Sequence, residues 1–408
     1  MHLPVPNVIN FPLVKAKERL KEYSLEIVEV NDSSFLDDVI TNYKVVTEEE
    51  KVILYHNKRK TNSFSLSSII DYINILGFVT GEHSQNKDLF KKRNIGSTDL
   101  GICVDNKDNI LFLYGDSFSG TDCNIGMWNS NFIGISSQTD FSKNIIFDDI
   151  PHYNNDLVKP IIQGNHDKNL ELNLDVKQNK EVTKIPTGGI RINDNVYVFY
   201  MSIRYWGKPG EWFVTYNQAL KAKYNDLNNF VKVDTLKFDN TLNDQFGMIY
   251  PFYNEFDNKY VYLLANPGGR FANTTLLRVK VDDFENLEKY EILTKEKEFK
   301  KLHKVKREDY FMILNNNNSS EHSISYNHYL KKWILVNLTS KGICLYLSMD
   351  LTSEFKEEHV VVTCEQLKGL YGGFIHPRLM DNGDRRMYMQ VSQWSPIYNT
   401  SLLEIIFK

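Results

Sequence analysis

Residues 110–114, Ile110-Leu111-Phe112-Leu113-Tyr114, follow the turn Asn106-Lys107-Asp108-Asn109 and run directly into Gly115-Asp116. Five consecutive apolar residues bounded by turn residues are too short for a buried helix and read as a strand covered on both faces. Four further runs share this grammar: Val196-Tyr197-Val198-Phe199-Tyr200, Tyr260-Val261-Tyr262-Leu263-Leu264, Trp333-Ile334-Leu335-Val336 and Met387-Tyr388-Met389-Gln390-Val391. Each follows a polar turn, and each is preceded by a second short run ending near a glycine or polar residue. The spacing is irregular, roughly 50 to 90 residues. Five repeats of a sheet meander stacked radially would make a mainly β, five-bladed β-propeller. A pair of β-sandwiches is the competing arrangement. A few helices are expected to interrupt, as at Asn217 to Asn225.

Composition agrees with a β-rich globular chain. Of 408 residues, 42% are hydrophobic and 25% charged, which excludes a largely disordered protein. Lys and Arg number 48 against 52 Asp and Glu, so nothing points to nucleic acid as a partner. Aromatics reach 13%, favouring sheets and flat surfaces that suit sugars. Cys103, Cys123, Cys344 and Cys364 form no CxxC pair and read as free thiols. No metal or cofactor is expected, although a structural calcium in a propeller channel stays open. The N-terminal stretch lacks a basic segment followed by an apolar run, so no secretory signal is expected. No run of about 18 apolar residues exists, and no membrane span is expected. The chain is thus expected to be made in the cytoplasm.

The first sixty residues differ from the rest. An extended piece, Val5 to Ile9, precedes Pro12 to Leu20, where Leu13, Ala16 and Leu20 recur at helical spacing. Two β-branched runs follow, Leu25 to Val30 and Val52 to Tyr55, giving a small β-α-β-β unit. The opening Val5-Pro6-Asn7-Val8-Ile9, with Pro12-Leu13 and Ala16, resembles a PASTA domain, the module of bacterial cell-wall kinases and penicillin-binding proteins. Its usual Pro-x-x-Gly before the last strand is absent here. The resemblance implies peptidoglycan binding. The expected organisation is a PASTA-like domain over 1–57, a linker over 58–71 and the propeller over 72–408.

The larger part resembles the family catalogued as domain of unknown function 4185. The matching segments run in order: Gly96 to Gly101, Tyr114-Gly115-Asp116-Ser117-Phe118, Pro186 to Ile190, Met201 to Trp212, Asn266-Pro267-Gly268-Gly269-Arg270, Ser320 to Asn327, Tyr371 to Pro377 and Ser392 to Thr400. The family is similar to five-bladed propeller glycosidases, some of which are endo-D-arabinofuranan hydrolases. It implies glycan hydrolysis. The Asn-, Lys- and Ile-rich composition points away from arabinan and towards another wall polymer, such as a teichoic acid.

Glycoside cleavage requires two carboxyl groups, one protonated to assist the leaving oxygen and one ionised. A propeller gathers such groups from the heads of its inner strands, so the candidates are acids at strand edges beside small or turn residues. Asp99, Asp116 and Glu321 meet that test. Asp99 and Asp116 would include the ionised base or nucleophile, and Glu321 would be the proton donor, held neutral by its surroundings. The competing reading makes the two aspartates turn acids and Glu321 a solvated loop acid. Arg204 and Arg270, cations on tight backbone, are candidates for binding substrate phosphate or hydroxyls. Glu211, in a Pro-Gly turn, and His376, before Pro377, are candidate contacts. Trp206, Tyr371 and Trp394 could stack on sugar faces. His322 and Gln393, inside matching segments, complete the set.

These features lead to a glycan hydrolase acting on a Gram-positive envelope polymer of teichoic-acid or furanoside type. The alternative is a binding protein that recognises wall polysaccharide without cleaving it. A wall-targeting module on a leaderless chain implies a phage tail or tail-associated virion protein, with phage tail proteins as neighbours. A bacterial protein exported by a non-classical route is the competing origin.

Overall fold

The computed structural model describes residue 8 and residues 13–30, 40–46, 51–57, 67–167, 181–240, 245–376 and 384–408. The expected strand Val5 to Ile9, apart from Val8, and most of the expected linker lie outside them. Helix α1 (Leu13–Arg19) precedes β1 (Ser24–Val30), β2 (Ile40–Val46) and β3 (Lys51–Asn57). These strands form a sheet in which β3 is central, parallel to β1 and antiparallel to β2. The helical spacing at Ala16 and Leu20 buries both residues against Ile40, Val52 and Leu54. Strand β2, between the two expected later strands, was not foreseen. Its core extends to Phe78 and Ile397 of the larger part.

The larger part begins within the expected linker, because β4 (Ile70–Phe78) is already a strand of its last sheet. Five sheets follow among the described residues. The first contains β5 (Ser97–Asp105) and β6 (Ile110–Phe118), with β7 (Trp128–Asn129) and β8 (Phe132–Ser136) both pairing with β6. The second is a four-stranded meander of β9 (Thr183–Ile192), β10 (Asn195–Trp206), β11 (Trp212–Lys223) and β12 (Asp226–Asp239). The third has β13 (Met248–Asn254), β14 (Asp257–Asn266), β15 (Ala272–Lys280), β16 (Glu291–Leu293) and β17 (Phe299–Lys301), with β18 (Met312–Ser319) beside β15. In the fourth, β19 (His322–Asn327), β20 (Lys332–Thr339), β21 (Gly342–Ser348) and β22 (Glu357–Thr363) pair in order. The last sheet joins β23 (Leu370–Ile375), β24 (Arg386–Gln393) and β25 (Asn399–Phe407) to β4.

The first strands touch one another in cyclic order, β5 to β9 to β13 to β19 to β23 and back to β5. A closed ring results, and the head of every inner strand opens on the same end of its axis. The five apolar runs of the sequence are the second strands β6, β10, β14, β20 and β24. Each is flanked on both edges and buried through its central residues, which is why its sequence is nearly continuous in apolar residues. The helix expected at Asn217 to Asn225 is instead the end of β11 and its turn. Ala219, Leu220 and Ala222 are buried there between β10 and β12. All four cysteines are free, Cys103 and Cys344 buried and Cys123 and Cys364 half-buried. No described helix is long and apolar enough to cross a membrane.

Candidate active site

The β5–β6 pairing breaks where the chemistry lies. Thr98 pairs with Ser117 and Leu100 with Tyr114, so Asp99 alone faces the two residues Gly115 and Asp116. This bulge turns both carboxyls towards the ring axis. The next residue, Leu100, sits at φ +72° although its side chain is bulky, and Gly101 follows at +93°. A leucine in that region is strained. It is held by the Ser392 hydroxyl, which accepts from the Leu100 N–H at 2.8 Å. Gly115 has no room for a side chain, since a Cβ there would lie 2.4 Å from Asp99 Oδ1.

The two aspartates have different surroundings. The Tyr371 hydroxyl donates to Asp99 Oδ2 at 2.6 Å. Burial pushes the Asp99 carboxyl up to about 6; Tyr371 and Tyr398 oppose the rise, Glu321 adds to it, and Arg270 opposes it. Asp116 is the more deeply buried. Thr183 Oγ1 at 2.6 Å and Trp128 Nε1 at 2.7 Å both donate to its Oδ1. Burial nevertheless holds Asp116 well above the usual carboxylate range, with the neighbouring Asp99 charge reinforcing it against Thr183 and Trp128.

Across the axis, Glu321 stands between β18 and β19 and Arg270 between β14 and β15. Arg270 donates to both Glu321 oxygens, from Nε at 3.2 Å and Nη2 at 2.9 Å. The guanidinium lies 5.2 Å from the Trp212 ring centre and 5.1 Å from that of Tyr371. Although burial alone would weaken its hold on the proton, Glu321 more than compensates and Arg270 binds it more firmly than usual. A carboxylate gripped by two N–H donors is arranged to accept rather than to donate. Asp116 is the carboxyl that burial pushes well up, whereas the grip of Arg270 on both oxygens differs from the neutral surroundings expected for Glu321 as proton donor. His322 beside it is likewise buried, which pulls its imidazole down to about 4 and keeps it neutral at pH 7.

These groups share one cavity of about 490 Å³ at the head of the ring, also lined by Trp206, Lys208, Glu211, Trp394 and Tyr398. Trp206 and Trp394 are 43% and 53% exposed and, with the 62% exposed Phe271 beside Gly210, stand around the loops that form its mouth. The structure thus brings together Asp99, Asp116, Glu321, Trp206, Glu211, Arg270, His322, Tyr371 and Trp394. It does not bring in Arg204, His376 or Gln393. Bulges in β10 leave the Arg204 guanidinium 5.9 Å over the Phe213 ring, outside the cavity lining. His376 follows the far end of β23 from Tyr371, ~17 Å along an extended chain, and packs edge-on against Phe141. The Gln393 amide is buried and donates to the Lys368 carbonyl at 2.9 Å. Sequence reasoning missed Trp128, Thr183 and Lys208. A tryptophan twelve residues after Asp116 was the available signal, because buried indole N–H groups need acceptors. Among the described residues, no three His, Cys, Asp or Glu side chains converge as a metal site requires.

The model of one family matches residues 83–404, nearly the whole ring. The chain belongs to the family described as domain of unknown function DUF4185. No curated protein matches this DUF4185 chain. Among solved structures, it is similar to a Bacteroides ovatus protein classed provisionally as a hydrolase. The two share 11% identity at a TM-score of 0.55, covering 85% of this chain and 95% of that one. Weaker likenesses link the DUF4185 chain to a GH32 β-fructofuranosidase of Bombyx mori and a GH43_1 enzyme of Xanthomonas citri. The first has 14% identity, TM-score 0.43 and coverage of 78% and 65%; the second has 8%, 0.42, and 76% and 87%. At these identities the B. ovatus protein shows a shared fold, and the other two are too distant in shape to add to it.

Proposed function

We propose that the chain is a glycan hydrolase built on a five-bladed propeller, with Asp116 as general acid and Asp99 as general base or nucleophile. The observation that carries this reading is the β5–β6 bulge, which sets two carboxyls of different character in the wall of a cavity rimmed by exposed aromatics. Both Asp116 hydrogen bonds fall on Oδ1, so Oδ2 is the oxygen free to carry the proton. Asp99, pushed up to about 6, is ionised at neutral pH yet basic enough to take a proton. Glu321, locked to Arg270, orients that cation against Tyr371 and sets the charge felt by Asp99.

The substrate in this reading is a polymer of the Gram-positive envelope, with the N-terminal unit, PASTA-like in its opening sequence, holding the wall. The cavity wall carries Asp99, Asp116, Glu211 and Glu321 against Lys208 and Arg270. That balance favours an uncharged glycan over a polyanionic teichoic acid. The exposed Trp206 and Trp394 support sugar binding equally well without cleavage, which keeps a recognition protein as the second reading. Release of reducing ends from purified Gram-positive cell walls separates them. Asp99→Asn and Asp116→Asn should each lower release by ~10²–10⁴-fold with the fold intact; undiminished release by both variants would refute the assignment.

A further inference from the structure

Two donors hold Asp116 by its Oδ1, and one of them, Trp128, has little backbone support. It belongs to β7, a strand of two residues paired with the end of β6. The loop before it is open to solvent, with Ile125 and Met127 exposed. So short a ladder fixes the Trp128 backbone and leaves the direction of its indole to the side chains around it. The closest of these is His166. The two ring centres lie 3.8 Å apart with 2° between their planes. Rings parallel at van der Waals distance overlap face to face, and the indole cannot tilt without losing that contact. Phe118 adds a looser contact, at 5.8 Å and 26°.

His166 is in turn tied to both segments that grip the acid. Its Nε2 lies 2.8 Å from the hydroxyl of Ser130, just beyond Trp128, and the Gly164 N–H donates to the same oxygen at 2.8 Å. Its backbone N–H donates to the Val182 carbonyl at 2.9 Å, next to Thr183, the other donor to Asp116 Oδ1. The Asn165 N–H reaches Glu181 Oε1 at 3.2 Å. The His166 backbone sits at φ +55°, a region open to histidine and asparagine more than to most side chains. Burial pulls the imidazole below its ordinary value, with Glu181 opposing and Lys184 assisting. The ring is therefore neutral at neutral pH and brings no positive charge towards an acid that must keep its proton.

We propose that His166 is a positioning residue: by stacking on Trp128 it aims the indole N–H at Asp116 Oδ1 and leaves Oδ2 to carry the proton. Its effect on turnover rests on the hydrolase reading, whereas its effect on the indole does not.

The test compares the full-length protein with His166→Asn, which suits that backbone but has no ring, and His166→Phe, which restores a ring. Turnover is read from reducing ends released from purified Gram-positive cell walls. Protection of the Trp128 indole N–H from exchange with water is read by NMR of isotope-labelled protein, its signal identified by its absence from Trp128→Phe. His166→Asn should lose that protection and ~10²-fold in kcat, the cost of misplacing a catalytic group by about 1 Å, with KM little changed. His166→Phe should keep the protection and most of kcat. Protection like the parent's in His166→Asn would overturn the proposal, as would equal losses in both variants or an undiminished kcat where protection is gone. Should His166→Asn fail to fold, Ser130→Ala, which cuts the tie of the imidazole beside Trp128, takes its place. Protection should fall there too, and unchanged protection would overturn the proposal. Release of no reducing ends by the parent would refute the hydrolase reading, and indole protection alone would then decide whether His166 holds Trp128.

Discussion

Arg270 and Glu321 come from loops 51 residues apart, yet the guanidinium clasps both carboxylate oxygens, at 2.9 and 3.2 Å, against the walls made by Trp212 and Tyr371. The pair faces Asp99, and its two charges act on that carboxyl in opposite senses. Asp99 is therefore tunable from outside its own strand.

The acidic limb of a pH–activity profile should reveal that tuning. Glu321→Gln removes a negative charge and should move the limb to lower pH. Tyr371→Phe removes the hydrogen bond to Asp99 Oδ2 and should move it to higher pH. Shifts of about half to one unit are expected, read from kcat/KM against pH. Movement of both variants in the same direction would contradict Asp99 as the base.

Burial of Asp99 should also leave a mark on stability. Its folded value, about 6, lies above the ordinary 3.8, so the folded state binds the proton more tightly than the unfolded one. The resulting stabilisation is present below about pH 4 and is lost as pH rises through 6. Asp99→Asn escapes this loss. Thermal melts should show the variant gaining on the parent at pH 8 and losing that advantage at pH 4. A pH-independent difference would show that Asp99 is not desolvated.

Gly115 is a steric requirement of the site. Alanine there would put its Cβ 2.4 Å from Asp99 Oδ1 and 3.1 Å from Leu100 Cδ1. The carboxylate must move, and displacement of about 1 Å costs ~10²-fold in turnover. Gly115→Ala should lose activity by that order while remaining folded by circular dichroism.

The mouth should govern affinity more than chemistry. Trp206→Ala and Trp394→Ala should each raise KM by up to about tenfold, the worth of one aromatic contact, with kcat and melting temperature little changed. A comparable fall in kcat would place these rings at the reacting bond.

Much of this was legible from residue order, for reasons that differ by element. Strand β6 announced itself because neighbours cover both of its edges and both faces are packed, so no polar residue interrupts Ile110 to Tyr114. Strand β11 did not, because Gln218, Ala219, Leu220, Lys221 and Ala222 are good helix formers and only pairing with β10 and β12 makes them extended. Asp99 and Asp116 stood out beside glycine at strand edges. Their ionisation did not: that depends on Thr183, Trp128 and Tyr371, from other sheets or later in the same one. Glu321 was found, but its partner was not, since nothing in its local sequence announces Arg270. His376 shared a segment with Tyr371, and only strand length put it at the wrong end.

The pairing of β4 with β25 links residues about 330 positions apart, as in the Asn74–Glu404 contact. During synthesis, the first four sheets must wait for β25 before the circle can be sealed. Asp99 and Tyr371 lie on opposite sides of that seam, so their hydrogen bond is among the last to form. A nascent chain halted before Asn399 would hold most of its sheets and no sealed cavity, which delays any activity until β25 has been made.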